Sequence, residues 1–432
     1  MISVIKIPSN INDDELAEIF SSRAFDESKM EIVQRIVGDV CKRGDAALLK
    51  YTKKFDRVEL NPEQIKVSEK EFEEAYGLTD KEFVSAIRFA KERILSYHEN
   101  QKTESWFVTE KDGVMLGQQV RPIERVGIYV PGGMASYPSS VLMNAAPAKV
   151  AGVNEIAMCV PPDENGLVSS YTLIAAREMG VTEIYRVGGA QAIAAMAYGT
   201  ETIKKVYKIT GPGNAYVTLA KKLVVGVVGI DMLAGPSEVV ILADAKANPA
   251  YIVADILAQA EHAPDATAIL ITTSSKIAED VEAQLGEQLS LIKRQSIAEE
   301  SIKNFGKILI IDSLGTAIRV VNFIAPEHLE VMIEEPINIL GEIKNAGAIF
   351  LGKYTPESVG DYVAGPNHIL PTMGSARFHS PLGVEDFIKK SSVLSFTKEG
   401  LEKVVDALDI IACAEGLDAH ARSATIRVEG HE

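Results

Sequence analysis

From Val120 onward, short β-rich runs alternate with Ala-rich stretches of helical spacing, and this alternation restricts the fold more than any other feature of the chain. The runs VGIYV, EIAMCV, EIYRVGG and KVYKITG form one series, and EVVILAD, AILITTS, KILIID and AIFLG form a second. A strand that reaches its parallel neighbour through a helix must cross over it, so each series predicts a mostly parallel sheet covered by helices on both faces. The expected class is α/β, with two Rossmann-like sheet domains, one inserted in the other, plus helical N-terminal and C-terminal segments. No GxGxxG fingerprint is present. In such folds sites collect at the loops leaving the carboxyl ends of the strands.

The flanks read differently. Residues 12–56 and 68–102 have apolar positions at helical spacing among many Lys and Glu. The expected organisation is an N-terminal helical arm at 1–25, a first α/β domain from 26–128 and 238–381, a second at 129–237, and a helical tail at 382–432. Lys and Arg total 44 against 60 Asp and Glu, a net charge of −16 that argues against nucleic acid or an anionic membrane surface as partner. The most apolar stretch, LVVGVVGIDMLAG, is too short to span a bilayer and carries Asp231. Cys41, Cys159 and Cys413 are far apart and have no CxxC spacing, which predicts a reduced, cytoplasmic protein acting on a small molecule.

Few residues could carry chemistry. Gln259 and His262 lie in NPAYIVADILAQAEHAP, where their spacing places both on one helix face, either as a metal pair or with His262 closing the helix C-terminus. Asp361, in the turn-rich ESVGDYVAGPNH, is aimed at a metal or closes a turn. His420 shares the tail with Glu415 and, alone, reads as surface. Glu327 and His328 follow Pro326, which suits a helix start; they are either a proton-transfer pair held against the core, or a helix-start charge beside a packed ring. His98 and His431 are expected to be solvated, whereas His368 and His379 fall in Gly- and Pro-rich loops, His368 as a candidate substrate contact. The strand exits YVPGGMASYPSS, RVGGAQAIAA and TGPGNAY offer backbone N–H groups to a phosphate, or are ordinary tight turns.

Together, VGIYVPGGMASYPSSVLMNAAPAKVAGV, GPGNAYV, DMLAGPSEVVILAD, QAEH, APEHLEV and VGDYVAGPNHILPT resemble the histidinol dehydrogenase family, in order, from about Ala24 to Arg427. The resemblance implies one Zn2+ per subunit held by Gln259, His262, Asp361 and His420, with Glu327 and His328 as the catalytic acid/base pair. It implies substrate contacts from Ser237 and Glu415, and again from Gln259, His262, His328, Asp361 and His420. Tyr129, Gln191 and Asn214 are by the same resemblance the NAD contacts. The implied reaction oxidises L-histidinol through L-histidinaldehyde to L-histidine with consumption of two NAD. The implied assembly is a homodimer of intertwined subunits whose tails reach the partner's site. Rival readings are a zinc hydrolase needing no NAD, a noncatalytic metal- or nucleotide-binding protein, and thiol chemistry at Cys159 or Cys413. The thiol route lacks a visible activating His, so packing is the expected role of both cysteines.

Overall fold

Among the described residues, strands follow in chain order as β1 (Ser3–Ile7), β2 (Trp106–Thr109), β3 (Met115–Pro122), β4 (Arg125–Tyr129), β5 (Glu155–Val160), β6 (Glu183–Arg186) and β7 (Lys208–Thr210). They continue as β8 (Gly229–Ile230), β9 (Glu238–Ala243), β10 (Thr267–Thr272), β11 (Lys307–Ile311), β12 (His328–Met332), β13 (Ala348–Leu351) and β14 (Ile388–Ser395). The computed structural model describes residues 2–20, 28–132 and 136–429; Ala24, part of the first Gly-rich strand exit and His431 lie outside them. Two compact units result, Met1–Gln101 with Glu124–Phe387, and Lys102–Ile123 with Ile388–Glu432.

The first unit holds two sheets, of order β1-β11-β10-β9-β12-β13 and β6-β5-β4-β7-β8. Every pairing in both is parallel. Counted from β4 and from β9, the two sheets share the Rossmann order 3-2-1-4-5, with β1 added outside β11. The two-sided burial expected of parallel sheets is visible in side-chain alternation. On β9, Val239, Ile241 and Ala243 enter one apolar core while Val240 and Leu242 enter another. On β10, Ala268 and Leu270 split from Ile269 and Ile271 in the same way. The helix Pro249–Ala260 starts with an Asn248 cap and Pro at its first turn, and packs Ile252, Val253, Ile256, Leu257 and Ala260 onto the first of these cores.

Three expectations are corrected. The N-terminal arm, read as helical, contributes β1, paired in parallel with β11 ahead of the helix Asp13–Ile19. Its alternation is faint because β1 is an edge strand with most side chains exposed, Lys6 interrupting the apolar run. The tail is not all helical, since β14 precedes its helices Lys398–Glu402, Val405–Ala414 and Asp418–Val428. Residues 102–123 belong with that tail, because the β2–β3 hairpin is completed by β14 in an antiparallel sheet.

In the inserted sheet, Lys221 and Asp231 form an ion pair at most 2% exposed. Lys221 Nζ donates to the Gly211 carbonyl at 3.0 Å, and Gly211 N–H donates to Asp231 at 2.8 Å, fixing the loop after β7. Gly211 has φ +115° and lies where a Cβ would stand 2.1 Å from the Tyr129 carbonyl oxygen, so the loop packs tightly on the end of β4. Removing one partner strands a buried charge: Lys221→Met is expected to cost about 3–5 kcal/mol in urea unfolding. A change below about 1 kcal/mol would show that the pair is not what holds this loop.

Candidate active site

The helix Leu314–Ile324 ends on Ala325 in the left-handed conformation, followed by Pro326, and the chain then enters β12. Pro326 therefore precedes a strand and not a helix: Glu327 and His328 stand at the amino end of β12. Ser237 stands just before β9, the neighbour of β12. The candidate centre thus gathers at the amino ends of the central strands, opposite to the edge expected from the doubly wound pattern. Two further local readings change. His262 lies beyond the helix Pro249–Ala260, in the turn after its cap Glu261, with Nδ1 3.5 Å from Gln259 Nε2. Asp361 is within the short helix Glu357–Tyr362 and not in a loop.

His328 is nearly fully buried, and its Nδ1 lies 3.2 Å from the Glu238 carbonyl oxygen. A carbonyl only accepts, so in the neutral ring Nδ1 bears the proton and Nε2 keeps the lone pair. Among the described residues Nε2 has no hydrogen-bond partner, and it stands 3.7 Å from Asp361 Oδ1. Glu327 is clamped reciprocally: its Oε2 accepts from Glu238 N–H at 2.9 Å, and its own N–H donates to Glu238 Oε1 at 3.3 Å. Glu357 Oε1 and Glu327 Oε2 lie 3.8 and 3.9 Å from His328 Nδ1.

These neighbours set the proton affinities. Burial pushes His328 down, but Glu357, then Glu327 and Asp361, outweigh it and hold the imidazole well above its ordinary value. Burial raises Glu327 to about 8, against the opposing pull of His328. It also raises Glu357, to about 7. Both carboxyls exceed their ordinary 4.5, so the folded protein binds protons that the unfolded chain releases, and stability is lost as pH rises through 7 and 8. The raised His328 acts with the same sign, its contribution disappearing as pH climbs through its folded value. Glu178, held low by Arg88, contributes fully across this range and does not oppose the trend. Metal-free protein is therefore expected to melt roughly 5 °C lower at pH 9 than at pH 6 in calorimetry. A midpoint that rises with pH would contradict the cluster's proton balance.

The donor set suits a cation. Ligand atoms of His262, Glu357 and Asp361 all lie within 4.8 Å of one another. Gln259 Oε1 is buried without a hydrogen-bond partner among the described residues, an acceptor left for a ligand. His262 is exposed as a residue, yet desolvation of its ring, only partly offset by Asp361, favours the neutral form that a metal ligand requires. His420 and Glu415 are exposed residues of the second unit.

Tyr129, Gln191 and Asn214 stand where the doubly wound pattern places a dinucleotide, at the carboxyl ends of the inserted sheet. Tyr129 ends β4, Gln191 lies in the first turn of the helix Gly189–Tyr198, and Asn214 caps the helix Ala215–Val224 after β7. Each also has structural work. The Tyr129 hydroxyl accepts from Gly189 N–H at 3.0 Å, Gln191 is buried, and the Asn214 side chain accepts from Tyr216 and Val217 N–H. The helix Gly189–Tyr198 begins on Gly188 with no side chain capping it, which leaves first-turn N–H groups for an anion.

Sequence reasoning missed the acids packed around His328. Glu357 lies four positions before Asp361 on one helix, and Glu330 two after His328 on one strand, so helical and strand spacing were the available signals. Glu238 and Asp255 are buried in the same region. His98, expected to be solvated, is fully buried between Gln101 Oε1 at 2.7 Å and Asn367 Nδ2 at 3.4 Å. His368 sits by Ser140 Oγ at 3.4 Å and the Asp361 carbonyl at 3.1 Å. Cys159 is packed as expected, with burial pushing its thiol up, but Cys413 is exposed.

The chain matches the family described as histidinol dehydrogenase over residues 21–428. Histidinol dehydrogenase of Heliobacterium mobile is 50% identical over 99% of this chain and 100% of that protein. That of Listeria innocua is 53% identical over 96% of each chain. The crystal structure of histidinol dehydrogenase from Elizabethkingia anophelis superposes with a TM-score of 0.93 at 39% identity, covering 99% of this chain and 98% of that one.

Proposed function

Since this chain belongs to the histidinol dehydrogenase family, we propose that it oxidises L-histidinol through L-histidinaldehyde to L-histidine, using NAD and zinc, in the last steps of histidine biosynthesis. The observation that carries the reading is the buried His328, with Nδ1 engaged by a carbonyl and no described residue hydrogen-bonded to Nε2, beside the clamped carboxyl of Glu327.

Nε2 of His328 accepts the alcohol proton in the first oxidation. Glu327, raised to about 8, is poised near neutral pH to accept a proton from the water that adds to the aldehyde. As water adds, Nε2 returns its proton to the aldehyde oxygen, and the hydrate then gives a hydroxyl proton to Nε2 in the second oxidation. Glu327, Glu357 and Asp361 stabilise the imidazolium formed each time. When bound, NAD would supply the hydride acceptor, and zinc held by Gln259, His262, Asp361 and His420 a cationic anchor for the substrate's nitrogens. Ser237 and Glu415 complete the proposed substrate contacts, and Tyr129, Gln191 and Asn214 the NAD contacts.

We further propose that the active assembly is a homodimer in which the tail with Glu415 and His420 serves the partner's site. Its support is the second unit's surface, where Leu408, Ile410, Ile411, Leu417 and Ile426 are exposed. Three unpaired cysteines support a cytoplasmic location, and among the described residues no helix is long and apolar enough to cross a membrane.

The test is NADH released per L-histidinol consumed, with and without a chelator. The expected result is about two NADH per substrate, lost on chelation and restored by zinc. Hydrolytic turnover with no NADH would replace this reading with a zinc hydrolase.

A further inference from the structure

A proline inside a helix leaves one carbonyl without its partner. The helix Pro138–Ala151, which follows β4, contains Pro147 in its interior. With no N–H at 147, the carbonyl of Met143, four residues earlier, lacks its intrahelical donor. Met143 is fully buried, so the donor must come from elsewhere in the fold.

It comes from a distant segment. Asn367, itself buried, donates from Nδ2 to the Met143 carbonyl at 2.6 Å. The same nitrogen lies 3.4 Å from His98 Nε2, and Asn367 Oδ1 accepts from Ile369 N–H at 2.9 Å. These backbone partners fix which end of the amide is nitrogen. His98 is fixed in turn. Gln101 Oε1 accepts from Val384 N–H at 3.1 Å, so the His98 Nδ1 that lies 2.7 Å from this oxygen is a donor. Nε2 is then the lone pair that Asn367 meets, and the ring is neutral. Burial, which pushes His98 below its ordinary value, agrees with that form.

The residue after Asn367 reaches the candidate centre. His368 Nδ1 lies 3.1 Å from the Asp361 carbonyl oxygen, and its Nε2 3.4 Å from Ser140 Oγ in the first turn of the helix Pro138–Ala151. The helix Lys81–Glu99, which carries His98, also holds the segment between them: Arg93 Nε donates to the Val363 carbonyl at 2.6 Å. Gly365, at φ +122°, lies where a Cβ would stand 3.0 Å from Tyr97 Cβ. We propose that Asn367 is a positioning residue: clamped between His98 and the carbonyl that Pro147 releases, it holds His368, and through it the Asp361 carbonyl, against the helix Pro138–Ala151. For zinc and turnover this rests on the function proposed above; for the order of the segment it does not.

Bond-filling and positioning are separable, because Pro147→Ala gives Met143 back its helical donor. Asn367→Ala strands a buried carbonyl, so its urea midpoint should fall. Adding Pro147→Ala should restore much of that midpoint, but it cannot restore the hold on His368. In the full-length protein, the double variant is therefore expected to exchange amide hydrogens faster within residues 361–366 than Pro147→Ala does, measured by mass spectrometry. Its zinc retention against a chelator and its kcat for L-histidinol should each stay about tenfold or more below those of Pro147→Ala. His98→Leu, which removes one side of the clamp and leaves the Met143 bond, should move exchange, retention and kcat in the same direction. If Asn367→Ala alone does not fold, the double variant, whose carbonyl is satisfied within the helix, still supplies the comparison. The proposal is overturned if the double variant exchanges like Pro147→Ala, or if its exchange is faster while retention and kcat both stay within roughly threefold. It is overturned as well if His98→Leu leaves all three at parental values. A parent protein that retains zinc yet makes no NADH would defeat the functional reading alone, and exchange and retention would still decide this one.

Discussion

His328→Ala should lower kcat by about 10²–10⁴ while KM for L-histidinol changes by less than tenfold. The expectation follows from one atom. Nδ1 is spoken for by the Glu238 carbonyl, which leaves Nε2 as the ring position where a proton is taken up and given back. With the ring gone, water must take the alcohol proton without an oriented acceptor. His328→Gln restores bulk but no base, so it should be nearly as slow; turnover like the parent's in either variant would remove His328 from proton transfer. Glu327→Gln gives an internal check. Its amide can still meet the Glu238 backbone, so the fold survives, and the loss should fall on conversion of added aldehyde to acid.

The second large effect concerns the cation. His262→Ala or Asp361→Ala is expected to release zinc at chelator concentrations the parent withstands, weakening retention by about 10–100-fold or more. KM should rise with it, because the proposed metal holds substrate and the variant loses the anchor. Activity regained at high zinc would separate lost retention from lost chemistry. A variant that keeps zinc at parental affinity and loses only kcat would contradict the assignment of that residue. Asp361 carries an added effect: its carboxylate faces His328 Nε2, so its removal also takes away one of the charges that hold the imidazole's proton affinity up.

Much of this was legible beforehand because it depends on local pattern. The apolar runs VVILA and AILI can lie only where both sheet faces are covered, and they became the bodies of β9 and β10. The motif residues of the candidate centre were named from resemblance, and the structure brings Gln259, His262, Glu327, His328 and Asp361 to the first unit. Local conformation was less legible. Pro326 suits a helix start and a strand entrance alike, and only the left-handed Ala325 turn before it and the pairing of β12 with β9 choose the strand. β1 escaped notice because an edge strand needs no strong alternation, its stability coming from a distant partner in β11.

Sequence by itself determined the class of fold, since hydrophobic period and turn residues act within a few positions of one another and leave few ways to bury the chain. It determined which residues to weigh, because rare titratable side chains stand out against an apolar background. Only the tertiary structure decided that His98 is buried and that Glu357 and Glu238 close around His328. Those contacts join residues far apart in the chain, and a carboxyl's charge, proton and partner depend on what folding brings beside it and on the water folding removes.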